Sequence, residues 1–343
     1  MPDFPPGGVD ILATGRYLPQ RVVTNAELET LMDTSDEWIV QRTGIRERRA
    51  ASDEDTTVSM AAQAVATALR RAGLTASDMD LLVLASVGSE MSCPATACVV
   101  LDRLEKQHGL GRTTAGAFDL VAACSGFVYG LNLAASMIRT GAHKRVAVIG
   151  VERLTDTVEY STRGRGTAIL FGDGAGAVIL GASDDNGRGV LAQRMHADGS
   201  RWGDLYIPTS EPRDFPEGKR APGDELPLRL MRMNGRSVFR FAVGTFCDLI
   251  KETLDDAGLT AEDVDAFICH QSNARIIEAA RERFGLPAEK MPVNIDRIGN
   301  TSAASVPILF DEQREAGNIQ PGQTVMFVAF GGGLTWSSSL WKL

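Results

Sequence analysis

The chain has 343 residues, 44% hydrophobic and 23% charged, which is enough to bury a large core in one big domain or two packed ones. A formal charge of -9 argues against general affinity for nucleic acid, which requires a clustered basic surface. No apolar run approaches the roughly 18 to 20 residues that span a bilayer, and Met1 to Gly8 lacks a basic region leading into an apolar stretch. Cys93, Cys98, Cys124, Cys247 and Cys269 form no C-x-x-C pair, and the four histidines form no H-E-x-x-H motif, so free thiols, a cytoplasmic location and no metal site are expected.

In chain order, a helical stretch from Met60 to Ala72 leads through AGLTASDMDLLVLAS (Ala72 to Ser86) into a short apolar run suited to a buried strand. After AFDLVAACSGF comes a helical stretch from Ser125 to Thr140, then strand-like segments at Val146 to Val151 and Ala168 to Gly181. Near Gly187 to Gly189 a second half begins. A Pro-, Gly- and charge-rich stretch, Pro208 to Pro227, reads either as a surface loop beside the active site or dimer edge or as a disordered insertion. A helix at Val238 to Ala257 then delivers the chain into AGLTAEDVDAFICHQ (Ala257 to Gln271), which repeats the earlier phrase at a displacement of 185 residues. A final apolar segment runs from Thr324 to Leu343. Two related α/β halves are expected, 1–186 and 187–343, with parallel-rich sheets covered by helices.

Cys124 follows an apolar run and opens a helix, where the helix end favours thiolate and backbone N–H groups can face an oxyanion. An inert core cysteine fits this segment equally well. The repeat places His270 at the C-terminal end of a strand, where α/β folds carry functional groups, although a lone histidine is more often structural. Asn300 sits in a Gly-Asn turn before a small-residue helix start, a position asparagine also takes for backbone reasons.

The segments TSDEWIVQRTGIRERR (Thr34 to Arg49), AACSGF, RGTAILFGDGAGAVIL, HADGS (His196 to Ser200), HQSN (His270 to Asn273), GNTSAAS (Gly299 to Ser305) and FGGGLTW (Phe330 to Trp336) resemble, in order, the 3-oxoacyl-acyl-carrier-protein synthase III family of the thiolase superfamily. The resemblance implies a duplicated five-layered αβαβα fold, a homodimer without cofactor, and a Cys124-His270-Asn300 active site. It implies acyl-CoA and malonyl-acyl-carrier protein as substrates of a decarboxylative Claisen condensation that initiates fatty acid synthesis. Cys124 would hold the acyl group, the N–H groups of Cys124 and Gly332 would form the oxyanion hole, and His270 and Asn300 would stabilise the enolate. Trp38 and Arg165 would sandwich the CoA adenine, with Thr34, Arg42, Gly166 and Asn273 along the entrance. Arg236, Arg240, Arg275 and Arg283 would dock the acidic carrier protein. Cys93, Phe171 and Phe330 would line the acyl pocket.

The chain departs from the family at several places. Cys93 replaces a bulky aromatic on a loop that reaches the partner's pocket, which favours a longer or branched acyl group. Arg236 replaces Asn at the tunnel rim, pointing towards a carrier-bound donor. Glu90 lies near a loop that carries a catalytic glutamate in related enzymes, although the register does not match, and Ser337 to Ser339 replace an expected glycine and alanine. A starter-selecting or chain-joining enzyme of polyketide or other specialised metabolism is the same-fold alternative. A non-catalytic member of the fold would have no reason to keep all three active-site groups. A papain-like hydrolase fails because Ser125 follows the cysteine, and a dinucleotide site fails because GDGAGA runs into another strand.

Overall fold

A computed structural model describes residues 8–185, 187–210 and 226–343; most of the stretch read as a loop, 211–225, lies outside the described residues. The repeated phrase folds the same way twice. Thr75 and Asp78 close a capping box over a 3-10 turn, and Thr260 and Asp263 close another. Each turn feeds a strand whose every residue is buried, β4 (Leu81–Ala85) and β11 (Ala266–Cys269), which is why both read as unbroken apolar runs.

The first sheet has the order β1 (Gly8–Tyr17), β7 (Asp173–Ser183), β6 (Arg145–Arg153), β4, β5 (Gly116–Leu120). The second follows the same path with β8 (Gly189–Ala197), β13 (Thr335–Lys342), β12 (Thr324–Gly331), β11. Both are mixed rather than parallel-rich. Parallel pairing is confined to β4 with β5 and β6, and β11 with β12, while the remaining neighbours are antiparallel. The cause is plain in the last segment, where Gly332 to Leu334 turn the apolar run back on itself as a hairpin. The run from Ala168 is likewise not one strand. Arg165–Ala168 is a helical turn, α6, and strand pairing in the sheet begins only at Asp173.

Five layers follow from the side chains. Helices α3 (Thr57–Ala72) and α4 (Thr96–Lys106) cover the outside of the first sheet through Met60, Val65, Leu69 and Val100. Helices α5 (Gly126–Arg139) and α10 (Ser305–Glu315) lie between the sheets, where Phe127, Leu131, Phe310, Phe327 and Trp341 share one core. Helices α7 (Gly235–Ala257) and α8 (Ala274–Arg283) cover the second sheet through Phe246, Ile250 and Ile277. Burial of each such side chain contributes about 1.5–3 kcal/mol.

Ser337 to Ser339 acquire a reason in this packing. Ser337 Oγ donates to Arg194 O at 2.7 Å, Ser338 Oγ shares a 2.6 Å hydrogen bond with Thr253, and Trp341 Nε1 donates to Ser339 Oγ at 2.7 Å. All three serines are buried and satisfied; Ser337, which also accepts from Asn132 Nδ2 of α5 at 3.2 Å, and Ser338, bonded to Thr253 of α7, tie β13 to the helix layers on either side, while the Ser339 bond stays within the strand.

The remaining elements gather at one end. They are the ribbon β2 (Arg21–Thr24) with β3 (Glu47–Ala50), the ribbon β9 (Leu205–Tyr206) with β10 (Arg232–Met233), and the helices α1 (Asn25–Glu29), α2 (Asp36–Thr43), α6 and α9 (Ile295–Ile298). They enclose a separate apolar cluster that includes Leu28, Ile39, Ile45, Phe171, Met231 and Ile295.

Candidate active site

Cys124 stands in a 3-10 turn, Ala123–Ser125, that heads α5. The turn is strained, with Ala123 at φ +46°, and held by Ser125 Oγ donating to Thr335 O at 3.1 Å and Thr335 Oγ1 donating to Ala122 O at 2.9 Å. The sulfur lies where two cavities meet. One, of about 520 Å³, carries His270, Asn300 and Phe330 along its wall and leads out past Trp38, Arg42, Arg236, Arg240 and Arg275. The other, of about 340 Å³, is lined mainly by Val87, Leu154, Phe171, Leu205, Ile207 and Met231. Cys124 is only 7% exposed, and burial pushes its thiol up to about 12, with Glu152 adding to the rise and the Ser302 hydroxyl opposing it. The helix end alone therefore does not leave a resting thiolate.

His270 continues β11 by one residue, its N–H donating to Val328 O at 2.8 Å. Burial holds the imidazole down to about 3, so it is neutral. Its Nδ1 lies 2.7 Å from Ser305 Oγ, and the same oxygen lies 2.9 Å from Ser302 O. One serine proton faces two acceptors, and donation to Nδ1 is the arrangement that leaves Nε2–H free to donate. Phe330 meets the imidazole edge-on at 5.5 Å and lines the larger cavity, so it braces His270 instead of lining the apolar arm.

Asn300 is fixed through its backbone, its N–H donating to Leu170 O at 2.8 Å and its carbonyl accepting from Gly172 N at 3.0 Å. Its Oδ1 accepts from Ser302 N–H at 2.8 Å, which leaves the amide NH₂ as a donor on the cavity wall. Gly332 borders the apolar arm beside Cys124. Gly331 comes closer still: a Cβ there would lie 2.5 Å from Cys124 N.

The other expected residues divide. Gly166, Asn273, Arg236, Arg240 and Arg275 line the larger cavity, and Phe171 lines both. Thr34 and Arg165 border neither, although Arg165 and Arg42 both lie over the Trp38 ring, at 5.2 and 4.6 Å from its centroid. A base between Trp38 and Arg165 needs two contacts of about 3.5 Å, so the guanidinium must move aside for a sandwich to form. Arg283 stands apart, 3.6 Å from Asp248. Cys93 is exposed and borders neither cavity of its own chain. Glu90 is not at the chemistry: it accepts from Thr57 N–H at 3.0 Å and caps α3. Gly331, Ser302, Ser305 and Glu152 were not singled out by the sequence. The first three sit inside FGGG and GNTSAAS, beside Phe330, Gly332 and Asn300, whose roles the resemblance supplies.

Two hydrogen-bond donors beside a buried thiol, on one tunnel, suit the enolate of a carbon–carbon bond-forming step; the fold and site are those of a thiolase-fold condensing enzyme. The family described as 3-Oxoacyl-[acyl-carrier-protein (ACP)] synthase III matches residues 118–199, and its C-terminal counterpart matches 254–343. The beta-ketoacyl-[acyl-carrier-protein] synthase III 1 of Bacillus anthracis is 46% identical over 96% of this chain and 97% of its own. The crystal structure of 3-oxoacyl-[acyl-carrier-protein] synthase III from Aquifex aeolicus superposes with a TM-score of 0.86 at 41% identity, covering 98% of this chain and 100% of that one. The priming beta-ketosynthase of the R1128 polyketide pathway gives 0.87 at 34% identity, over 98% and 96%. The chain belongs to the 3-oxoacyl-[acyl-carrier-protein] synthase III family.

Proposed function

We propose that the protein is a beta-ketoacyl-acyl-carrier-protein synthase III that loads an acyl group from acyl-CoA onto Cys124 and condenses it with malonyl-acyl-carrier protein, initiating fatty acid synthesis. The observation that carries this reading is the junction at Cys124 of one arm with cationic walls and one apolar arm. Among the described residues, Arg42, Arg236, Arg240 and Arg275 have no carboxylate partner, which suits a phosphorylated pantetheine carrier. The apolar arm, at about 340 Å³, has room for roughly ten water-sized groups, more than an acetyl group fills. With a second copy bringing the small Cys93 side chain to this arm, a branched or longer acyl primer is the proposed substrate.

In the first half-reaction the Cys124 thiol gives up its proton as its sulfur attacks the thioester carbonyl, the oxyanion is met by the N–H groups of Cys124 and Gly332, and CoA leaves as its thiol with the proton that Cys124 lost. In the second, malonyl loses carbon dioxide, and the electrons of the broken carbon–carbon bond pass into an enolate whose oxygen is held by His270 Nε2–H and Asn300 Nδ2–H. The enolate carbon attacks the acyl-enzyme carbonyl and Cys124 departs as thiolate. Decarboxylation supplies the carbanion, so the reaction calls for no cofactor.

The starter-selecting polyketide reading is the weaker one, since the related priming ketosynthase stands at 34% identity against 46% for the Bacillus synthase. A homodimer is part of the proposal. Strand β5 is an edge strand, it leads into Val121 at 74% exposure on the rim of the apolar arm, and Met91 is exposed too. A second copy there would close the arm and bring Cys93 to it. The exposed thiols of Cys93 and Cys98 suit a reducing, cytoplasmic compartment, and no helix of the described residues is long and apolar enough to cross a membrane.

Incubation with a panel of straight and branched acyl-CoAs, read by intact mass, tests the reading. Acyl adducts should form on the parent protein and not on Cys124→Ala. His270→Ala and Asn300→Ala should load normally while malonyl-carrier decarboxylation falls about 10²- to 10³-fold. Normal loading of Cys124→Ala would overturn the assignment, and a strict preference for acetyl-CoA would overturn the primer.

A further inference from the structure

The cationic entrance is built on a turn of helix that its own sequence opposes. Helix α7 opens Gly235-Arg236-Ser237, with no acidic residue in its first turn and a cation where the helix dipole is already positive. Arg236 and Arg240, four apart and so on one face, line the larger cavity. Ser237 and Phe241, each one residue further on, form the neighbouring face. That face is gripped from outside the helix.

The grip comes from the 3-10 segment Gly199–Asp204. Asp204 Oδ2 accepts from Ser237 Oγ at 2.9 Å and from Arg201 Nε and Nη2 at 3.1 and 2.8 Å, and the same Nη2 reaches Ser237 Oγ at 2.9 Å. The Arg201 guanidinium also lies 5.3 Å from the centroid of the Phe241 ring. The Asp204 carbonyl accepts from Asn234 N–H at 2.8 Å, and the Asn234 side chain caps α7 by accepting from Ser237 N–H at 3.2 Å. One aspartate therefore ties together the capping residue and the third residue of the helix. The segment has a fixed support at its other end, where Asp198 and Leu334 of the glycine hairpin exchange backbone hydrogen bonds at 2.8 and 3.0 Å. Arg201, Asp204 and Ser237 border neither cavity, so none of them touches a donor there.

We propose that Asp204 is a positioning residue for the acyl donor: acting through Ser237 and braced by Arg201, it fixes the first turn of α7 so that Arg236 and Arg240 meet the phosphate end of a pantetheine carrier. Its carboxylate also brings to that turn the negative charge that α7 lacks. The placement matters. An acid within α7, three or four residues from either arginine, would pair with it and compete with the phosphate, whereas Asp204 is taken up by Arg201 and Ser237 on the adjacent face. The inference rests on the reading of the larger cavity as the entrance for phosphorylated pantetheine.

Single-turnover loading, read by intact mass against donor concentration, tests it with two donors of the same acyl group. One is acyl-CoA and the other the acyl N-acetylcysteamine thioester, which has no phosphate. Asp204→Ala and Ser237→Ala should each raise the acyl-CoA concentration for half-maximal loading about tenfold, the loss expected when a hydrogen bond to a charged group is misplaced, with the maximal rate unchanged. Loading by the N-acetylcysteamine thioester should stay at the parent level. In an Arg236→Ala, Arg240→Ala background the two substitutions should have no further effect, because the groups they position are gone. Equal loss with both donors, an undiminished loss in the double-arginine background, or unchanged half-saturation in both variants would overturn the proposal. Ser237→Ala keeps the Arg201–Asp204 pair and carries the test alone if Asp204→Ala does not fold. Failure of the pantetheine reading is a different result: Arg236→Ala with Arg240→Ala would then leave acyl-CoA half-saturation at the parent value.

Discussion

Gly331→Ala is the sharpest perturbation the site offers. The added Cβ would lie 2.5 Å from Cys124 N, 3.1 Å from its Cα and 3.0 Å from its Cβ. Ordinary contact requires about 3.5 Å, so the end of β12 and the nucleophile turn must separate by up to about 1 Å. Both are backbone, and neither can rotate away. A displacement of that size typically costs about 10²-fold in rate, and loss of one oxyanion donor about 10²- to 10³-fold, so acylation should fall about 10²- to 10³-fold. Overpacking should also lower stability by about 1–3 kcal/mol. Single-turnover loading from acyl-CoA measures the first effect and a thermal melt the second. Gly244→Ala is the control, because that glycine is exposed on α7 with nothing within 4 Å of a new Cβ. It should load normally and melt slightly higher, as a helical Gly-to-Ala change contributes about 1 kcal/mol. Loading of folded Gly331→Ala within a few fold of the parent would refute the close approach as a requirement of the chemistry.

Three further outcomes follow from the same geometry. Ser305→Ala should leave acyl loading intact but lower malonyl-carrier decarboxylation about tenfold, because His270 loses the donor that fixes its tautomer; equal loss in both half-reactions would point to general damage. Arg240→Glu with Arg275→Glu should raise the KM for carrier protein and weaken its salt dependence, with little change in turnover at saturation. For acid stability, His270 is held near 3 in the fold against about 6.5 when unfolded, so below pH 6.5 the unfolded chain takes up a proton that the native state refuses. Stability should fall as pH drops through that window, by up to about 2 kcal/mol at pH 5 from this group. His270→Asn should lose less between pH 7 and pH 5, which urea titration at the two pH values would show.

That Cys124, His270 and Asn300 belong to one site was legible because each lies in a contiguous phrase with a local signature. Cys124 precedes a helix, His270 ends a repeated strand, and Asn300 occupies a Gly-Asn turn. What escaped the sequence depends on contacts between distant segments. Phe330 looked like pocket lining, but the β12–β11 ladder turns its ring against His270. Glu90 lies near a loop that carries a catalytic glutamate in related enzymes but out of register with it, and its actual use could not be read: α3 has unsatisfied N–H groups at its start and takes the carboxylate. Parallel-rich sheets were expected because strand and helix alternate, yet a hairpin hidden in the run from Thr324 to Leu343 adds an antiparallel strand that no periodicity marks.

The duplication explains why the site needs both halves. Strands β6 and β12 correspond through their pairing with β4 and β11, which places Glu152 at the position of Gly331. Each half also has a strained turn before its central helix, with Ala123 at φ +46° and Ser302 at φ +47°. The contacts cross over. Gly331 of the second half rests on the Cys124 turn of the first, while Gly150 of the first half rests on Ala303, in the corresponding turn of the second. Neither turn is therefore supported by its own sheet alone. A chain divided between residues 186 and 187 should yield a 1–186 segment that does not load acyl-CoA by itself, although it contains Cys124. Mixing in 187–343 should restore loading if the halves reassemble, because it returns Gly331 to Cys124 and Ala303 to Gly150. Parent-level acylation of 1–186 alone would show that the crossed contacts are packing without consequence for the thiol.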